Sequence, residues 1–186
     1  GDSRMSILKV DTINEKTSGN GVAIPGHVIQ VKQSVVSNVF STTAGNGFAE
    51  MTDFRTAITP TSTTSKILVR GSLFVGNQYY QAKGRILRDS TPIGIGDARG
   101  VRPQSTWTSI TYDSGASNAY TIYNLRSVDF EFLDSPATTS EIIYSLDMGG
   151  YSTSISVHLN RDHNDSNGTS YNSTPISTLT LMEIAQ

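Results

Sequence analysis

The segment Val128-Asp-Phe-Glu-Phe132 alternates apolar and acidic residues, which is the pattern of a β-strand. A second segment, Ile142-Ile-Tyr-Ser-Leu-Asp-Met148, has an apolar residue at every even-numbered position. Neighbouring side chains of a strand point to opposite faces, so a period of two collects the apolar side chains on one face. Both segments therefore predict antiparallel strands with one face in a core and the other toward water.

Short runs rich in β-branched and aromatic residues continue on both sides of these two segments. Turn residues separate the runs, and none has the sustained 3.6-residue period of a helix. The predicted strands are 27–36, 48–59, 65–76, 84–89, 107–112, one or two strands within 118–133, 141–148, 154–159 and 176–184. About eight to ten short strands at this spacing predict an all-β protein, an antiparallel sandwich or jelly roll.

The composition excludes several classes of function. The 186 residues carry a net charge of −2 and include 16 Gly, 25 Ser, 22 Thr and no Cys. Without cysteine there is no disulfide framework, no thiol nucleophile and no cysteine-bound zinc. The near-neutral charge disfavours a nucleic-acid binder, and no apolar run approaches the roughly 20 residues of a membrane helix. We therefore expect neither a nucleic-acid partner nor insertion into a membrane.

The chain divides into three segments. We interpret residues 1–4 as a remnant of expression and Met5 as the native start. Residues 5–26 resemble two short strands around a glycine-rich turn, which is too little to bury a core, and Pro25-Gly26 closes them. We expect residues 5–26 to form a stem and residues 27–186 to form the head domain. No secretory cleavage signature follows Met5, so we expect assembly in a cytosol.

The histidines and carboxylates offer little support for catalysis. His27 and His158 fit ordinary strand or rim positions, and no motif for a nucleophile is present. Asp129 and Glu131 alternate on one strand face, which suits a solvated pair better than two acids facing across a cleft. We predict that the chain is not an enzyme and has no catalytic residue.

Two segments resemble ligand-binding loops without meeting their requirements. Residues 94–100 are glycine-rich but have the wrong spacing for a dinucleotide loop. Residues 162–168 are rich in Asp and Asn but do not have the Gly and Glu that an EF-hand needs at its sixth and twelfth positions. We therefore predict no cofactor and no metal ligand, while a loosely held surface calcium or sodium ion at residues 162–168 stays open.

The first and last strands of the head carry apolar residues on both faces. A strand buried on both faces needs a cover for its second side, and the sequence offers no helix for this purpose. We expect another subunit to supply the cover. The predicted subunit interface comprises Val28, Ile29, Val31, Leu179, Leu181, Met182 and Ile184.

Four aromatic residues in or near loops are the candidates for binding a receptor: Tyr79, Tyr80, Trp107 and Tyr112. Exposed aromatics on rigid β-loops offer large apolar faces at low entropic cost, as in sugar- and protein-binding surfaces. The alternative is that these side chains cap the core at the strand ends. The receptor interpretation requires the loops 76–82, 97–117 and 160–173 to meet at one surface.

Several segments together resemble tail-fibre-type virion proteins of marine bacteriophages, including cyanophages. They are Leu8-Lys-Val-Asp-Thr-Ile13, Ile24-Pro-Gly-His-Val-Ile-Gln-Val31, Thr59-Pro-Thr-Ser-Thr-Thr-Ser-Lys-Ile-Leu-Val69, Leu87-Arg-Asp-Ser-Thr91 with Ile93-Gly-Ile-Gly-Asp97, Phe132-Leu-Asp-Ser-Pro-Ala-Thr-Thr-Ser140 and Ile176-Ser-Thr-Leu-Thr-Leu-Met-Glu-Ile-Ala185. The resemblance implies a homotrimeric jelly roll like the complement globular head and tumour-necrosis-factor families, borne on a short stem. It also implies that the first and last strands lie near the three-fold axis, and it carries over no ligand residue.

The leading hypothesis is a virion protein assembled in the host cytoplasm. Its trimeric fibre or fibre-tip domain attaches to a glycan or protein of the host surface, and its stem joins other virion proteins. One alternative is a capsid or neck decoration that touches no receptor. A further alternative is a depolymerase acting on surface polysaccharide, although such enzymes use a repetitive β-helix and a carboxylate cleft that this sequence does not show.

Overall fold

A computed structural model describes residues 12–14, 24–111, 121–168 and 170–186. Most of the predicted stem, and Tyr112, lie outside these residues. The strands in the described part are β1 (Val28–Val36), β2 (Phe40–Thr42), β3 (Ala49–Ile58), β4 (Lys66–Asn77), β5 (Tyr80–Arg88), β6 (Thr91–Ile93), β7 (Trp107–Thr111), β8 (Leu125–Asp134), β9 (Ile142–Gly149), β10 (Val157–Leu159) and β11 (Ser177–Ile184). One 3-10 turn spans Thr121–Tyr123.

The strands form two antiparallel sheets. The six-stranded sheet has the order β1-β11-β4-β10-β2, with β8 paired along the other side of β4. The five-stranded sheet has the order β3-β9-β5-β6, with β7 also paired to β5. The two sheets pack face to face, which confirms the predicted all-β antiparallel sandwich and is consistent with a jelly roll. The likeness to the tumour-necrosis-factor family stays a prediction.

The core contains the alternate side chains that the sequence pattern indicated. Val128 is buried, Phe130 and Phe132 pack against the core, and Asp129 and Glu131 between them are exposed. Gly71 lies opposite Phe130 in the register, and a Cβ atom at Gly71 would stand only 2.2 Å from the Phe130 ring. The inward ring of Phe130 therefore needs a residue without a side chain at this position of β4.

The outward-facing side chains of β9 are less exposed to solvent than the alternation predicted. Ser145 and Asp147 point away from the core, yet both are buried. Arg85 bonds the Asp147 carboxylate at 2.5 Å and stacks 3.8 Å from the centroid of the Phe48 ring. Burial raises the pKa of Asp147, while its bonds to Arg85 oppose that rise. The expectation of a wet outer face is wrong here, because long side chains of neighbouring strands cover it.

A buried carboxylate ties the two sheets together at one end of the sandwich. Asp134, the last residue of β8, accepts bonds from Arg88 at 3.0 Å and from the Tyr144 hydroxyl at 2.6 Å. Arg88 and Tyr144 belong to the opposite sheet. The contact therefore fixes the spacing of the sheets by a charge-assisted hydrogen bond rather than by apolar packing alone.

The same end is closed by a second buried carboxylate, Glu183 of β11. It accepts hydrogen bonds from Gln30 at 2.6 Å and from the Thr61 amide and hydroxyl at 2.7 Å. Burial favours a raised pKa, but the bonds from Gln30 and Thr61 outweigh it and lower the pKa of Glu183. Glu183 thus stays charged and holds the loop between β3 and β4 against the last strand.

The two ends of the sandwich carry different parts of the chain. The chain enters β1 and leaves β11 side by side, since the Gly26 amide bonds the Ala185 carbonyl at 2.8 Å. We call this the chain end; it also holds Asp134 and Glu183. The opposite end, the loop end, carries the connections at residues 43–48, 78–79, 150–156 and 160–176.

β10 and β11 together occupy the place of one long strand beside β4, and a loop divides them. β10 pairs with residues 75–77 of β4, and β11 pairs with residues 66–72, both antiparallel and on the same side of β4. The chain leaves the sheet after Leu159, and Arg161 and Asp162 cover the outer face of the sheet at Gly76. A Cβ atom at Gly76 would stand 2.2 Å from the Arg161 carbonyl oxygen.

Tyr144→Phe tests the tie between the sheets. Removing one hydrogen bond to a buried carboxylate is expected to lower the free energy of unfolding by about 1.5–3 kcal/mol. Tyr151→Phe is the matched control because Tyr151 is half exposed, and its effect is expected to stay within about 0.5 kcal/mol. Urea denaturation at one fixed protein concentration measures both. Equal stability of the two variants would contradict the assignment.

Candidate binding surfaces

Three tyrosines cluster at the loop end. The rings of Tyr80 and Tyr151 stack with centroids 4.3 Å apart, and Tyr79 lies 6.4 Å from Tyr80. Tyr80 is 54% exposed and Tyr151 52% exposed, so neither ring serves the core. Sequence reasoning found Tyr79 and Tyr80 but missed Tyr151, which reaches the cluster from the loop between β9 and β10.

The backbone at Tyr80 is held in a conformation that a bulky residue rarely adopts. Its φ is +61°, in the left-handed region, which costs roughly 1–3 kcal/mol. The buried Asn77 side chain donates to the carbonyl oxygens of Tyr79 and Tyr80 at 3.0 and 3.1 Å. The buried Asn77 side chain therefore fixes the backbone of the turn, while the Tyr80 ring is exposed to solvent.

A buried lysine anchors the loops beside the tyrosine cluster. Lys83 is 4% exposed, and its ammonium donates to the carbonyl oxygens of Gly150 at 2.6 Å and Gly45 at 3.2 Å. Burial lowers the pKa of Lys83. Because Gly150 precedes Tyr151 in the chain, the Lys83 bond helps to fix the position from which Tyr151 projects.

A second pair of tyrosines joins the 3-10 turn, through Tyr123, to the loop after β10, through Tyr171. The Tyr123 and Tyr171 rings have centroids 5.4 Å apart, and Tyr171 is 68% exposed. The 3-10 turn is joined to this loop by bonds from the His163 and Asn164 amides to the Ile122 carbonyl, both 3.0 Å long. The loop end thus presents two separate pairs of aromatic rings.

A chain of polar side chains lies beneath the same loop. Ser41 Oγ and His158 Nδ1 are 2.8 Å apart, and His158 Nε2 and His163 Nδ1 are 3.2 Å apart. Arg161 donates to Ser41 Oγ at 3.3 Å. Burial, with smaller contributions from Arg161 and His163, lowers the pKa of His158 to about 4. Burial also lowers the pKa of His163, so both imidazoles are neutral at pH 7, and the His158 ring is buried.

The acidic loop at residues 162–168 is largely bonded within itself. Asp162 accepts from the Asp165 amide at 2.8 Å and from the Asn172 side chain at 2.7 Å, and Asp165 pairs with Arg161 at 3.3 Å. These residues line a cavity of about 200 Å³. Among the described residues, no three His, Asp or Glu side chains are grouped as metal ligands.

Trp107 does not lie on the surface, so its assignment as a receptor-binding residue is wrong. It is 5% exposed and packs over Gly84, its partner in the register of β5 and β7. A Cβ atom at Gly84 would come within 2.1 Å of the indole ring. Residues 94–106 leave the sheet at its edge, next to Gly84, rather than at the loop end. Of the three predicted loops, 76–82 and 160–173 therefore meet there; residues 112–117 lie outside the described part.

A row of apolar side chains crosses the outer face of the six-stranded sheet, the face turned away from the five-stranded sheet. Val31, Met182, Leu68 and Leu133 stand opposite one another on four neighbouring strands, and Val28 and Ile184 flank them. Val31 is 53% exposed and Leu133 47% exposed. We call these six residues the apolar row; Leu68 and Leu133 were not found from the sequence.

The seven predicted interface residues divide by face. Val28, Val31, Met182 and Ile184 belong to the apolar row, while Ile29 is half-buried at an irregularity in the pairing of β1 and β11. Leu179 and Leu181 are fully buried between the two sheets. Their assignment to an interface is wrong, because their alternating positions turn them toward the core.

No protein-family model and no curated protein matches this chain. Within the part that the structure describes, no helix is long and apolar enough to cross a membrane.

The lowered pKa of His158 predicts a stability that depends on pH. The unfolded histidine titrates near 6.5 and the folded one near 4, so between these values the unfolded chain binds more protons. The free energy of unfolding has its full value above about pH 6.5, and it falls by roughly 3 kcal/mol as the pH drops toward 4. We expect thermal melts of His158→Gln to lose much of this slope. His27→Gln, at the chain end, is the control. An unchanged slope in His158→Gln would contradict the assignment.

Proposed function

We propose that the chain is a non-enzymatic virion protein whose head forms a homotrimer and attaches a bacteriophage to its bacterial host. The apolar row is the observation that carries the proposal. Apolar side chains left in water on a regular sheet face mark a surface that another protein covers. The trimer and the phage origin rest on the resemblance of the sequence segments.

The composition of the outer face suits contact between identical copies. The apolar row runs the width of four strands, and the next row along β4 and β8 places Arg70 opposite Glu131. A closed symmetric assembly covers the row in every copy and leaves no open surface from which a filament could grow. Charged residues beside an apolar centre are the usual arrangement of a specific interface.

The separation of the two ends suits a protein that carries a binding surface away from a particle. Residues 5–26 precede the chain end, so a stem that joins other virion proteins would leave from there. The tyrosine cluster is at the opposite end of the sandwich, where loops are free to contact a host. Three weak sites on one trimer, repeated on one particle, raise the effective concentration of binding sites and give avidity without a strong single site.

Sedimentation tests the trimer. We expect a species of about 60 kDa, three times the 20.1 kDa chain, and dissociation in the variant Met182→Glu, since burying an unpaired charge is costly. Ile143→Glu, a change of an exposed apolar residue on the other sheet, is the matched control and is expected to stay trimeric. A 20 kDa monomer at micromolar concentration would refute the trimer.

Binding to whole cells tests the attachment. Fluorescently labelled protein is incubated with a panel of marine bacteria that includes cyanobacteria, and bound label is counted by flow cytometry. We expect saturable binding to a subset of strains, and weaker binding for the dissociated Met182→Glu variant because avidity is lost. Binding to none of the strains would favour a purely structural decoration.

A further inference from the structure

We propose that Tyr80 and Tyr151 form a platform that binds one pyranose ring of a neutral surface glycan. The inference rests on the proposed attachment function and names the ligand class and the site. The two rings are the most closely stacked aromatic pair in the described part of the chain, with centroids 4.3 Å apart and planes inclined by 32°. Each covers part of the other and leaves about half of its own surface to solvent.

The platform is built on buried polar groups rather than on the core. Asn77 holds the carbonyl oxygens of Tyr79 and Tyr80, and Lys83 holds the carbonyl oxygen of Gly150 beside Tyr151. Asn77 and Lys83 are both buried. Tyr80 keeps a left-handed backbone while its ring is exposed, and such strain persists only where the surroundings fix it. A site fixed in advance loses little entropy when it binds.

The chemistry around the rings favours a carbohydrate. Residues 76–81 and 150–156 contain no charged side chain, and the second segment supplies Ser152, Thr153, Ser154 and Ser156. The face of an aromatic ring is electronegative, so it attracts the weakly positive axial C–H groups of a pyranose. Hydroxyl and amide side chains beside the rings match the hydroxyl groups at the edge of the sugar.

The size of the platform argues against a protein ligand. Two half-exposed rings offer far less area than the roughly 800 Å² per partner of a standard protein interface. The two segments that carry the rings, residues 76–81 and 150–156, also supply no charge that would attract an acidic or basic partner. A single sugar ring on two tyrosines is a weak site, which three copies on one trimer would reinforce.

Saturation-transfer NMR on the intact protein tests the platform directly. The probes are four methyl glycosides: those of glucose, galactose, mannose and N-acetylglucosamine. We expect transfer to the ring C–H protons of at least one glycoside, with millimolar affinity. Tyr80→Gly and Tyr151→Ala are each expected to weaken binding by about tenfold or more, while Tyr80→Phe and Tyr151→Phe keep it within about threefold.

Two choices keep the test interpretable. Glycine suits the left-handed backbone at position 80, so Tyr80→Gly removes the ring without adding strain. Tyr171→Ala, in the other exposed tyrosine pair, is the matched control and is expected to bind as the unaltered protein does. The platform is overturned if no glycoside receives saturation, if binding survives in both ring-deletion variants, or if Tyr171→Ala alone abolishes it.

The whole-cell assay separates failure of the platform from failure of the proposed function. If Tyr80→Gly and Tyr151→Ala still bind cells as strongly as the unaltered protein, the platform is wrong and attachment stands. If those variants lose cell binding, and periodate oxidation of the cell-surface sugars also abolishes it, both proposals are supported. If the unaltered protein binds the glycosides but no cell, the platform holds and host attachment fails.

Discussion

The packing of alternate side chains between two sheets is the constraint on which the rest of this structure depends. β4 lies at the centre of the six-stranded sheet and has β8, β10 and β11 as neighbours, so its inward residues set the spacing of the core. Once Ile67, Val69, Leu73 and Val75 face the five-stranded sheet, the residues between them must face outward. Leu68 is thereby placed on the outer face, and the apolar row is a consequence of the strand period.

Buried polar groups stabilise the two ends of the sandwich in different ways. At the chain end, the carboxylates of Asp134 and Glu183 collect hydrogen bonds from both sheets and from the loop between β3 and β4. At the loop end, buried polar side chains instead hold backbone carbonyl groups, as Asn77 and Lys83 do. This arrangement stabilises the loops without covering them, because the donors Asn77 and Lys83 are buried while the rings of Tyr80 and Tyr151 are exposed. A rigid scaffold that presents loops is a common basis for recognition.

Local pattern predicted the fold and nine of the eleven strands in the described residues; the short strands β2 and β6 were missed because three residues show no period. Pattern could not tell which face of β11 meets the core, since Leu179 and Met182 are equally apolar. The burial of Trp107 depends on its register opposite Gly84, and the position of Tyr151 depends on a loop closing beside Tyr80. These are contacts between residues distant in sequence, which no local period encodes.

Self-assembly through the apolar row and recognition at the loop end are linked in this account, because multivalent attachment needs both. A cryo-electron-microscopy structure of the assembled protein tests the link most directly. It should contain three copies whose outer sheet faces meet at Val31, Met182, Leu68 and Leu133, with Tyr80 and Tyr151 of every copy at the same free end. A monomer, or an assembly that leaves the apolar row in solvent or buries Tyr80 and Tyr151 between copies, would contradict the account.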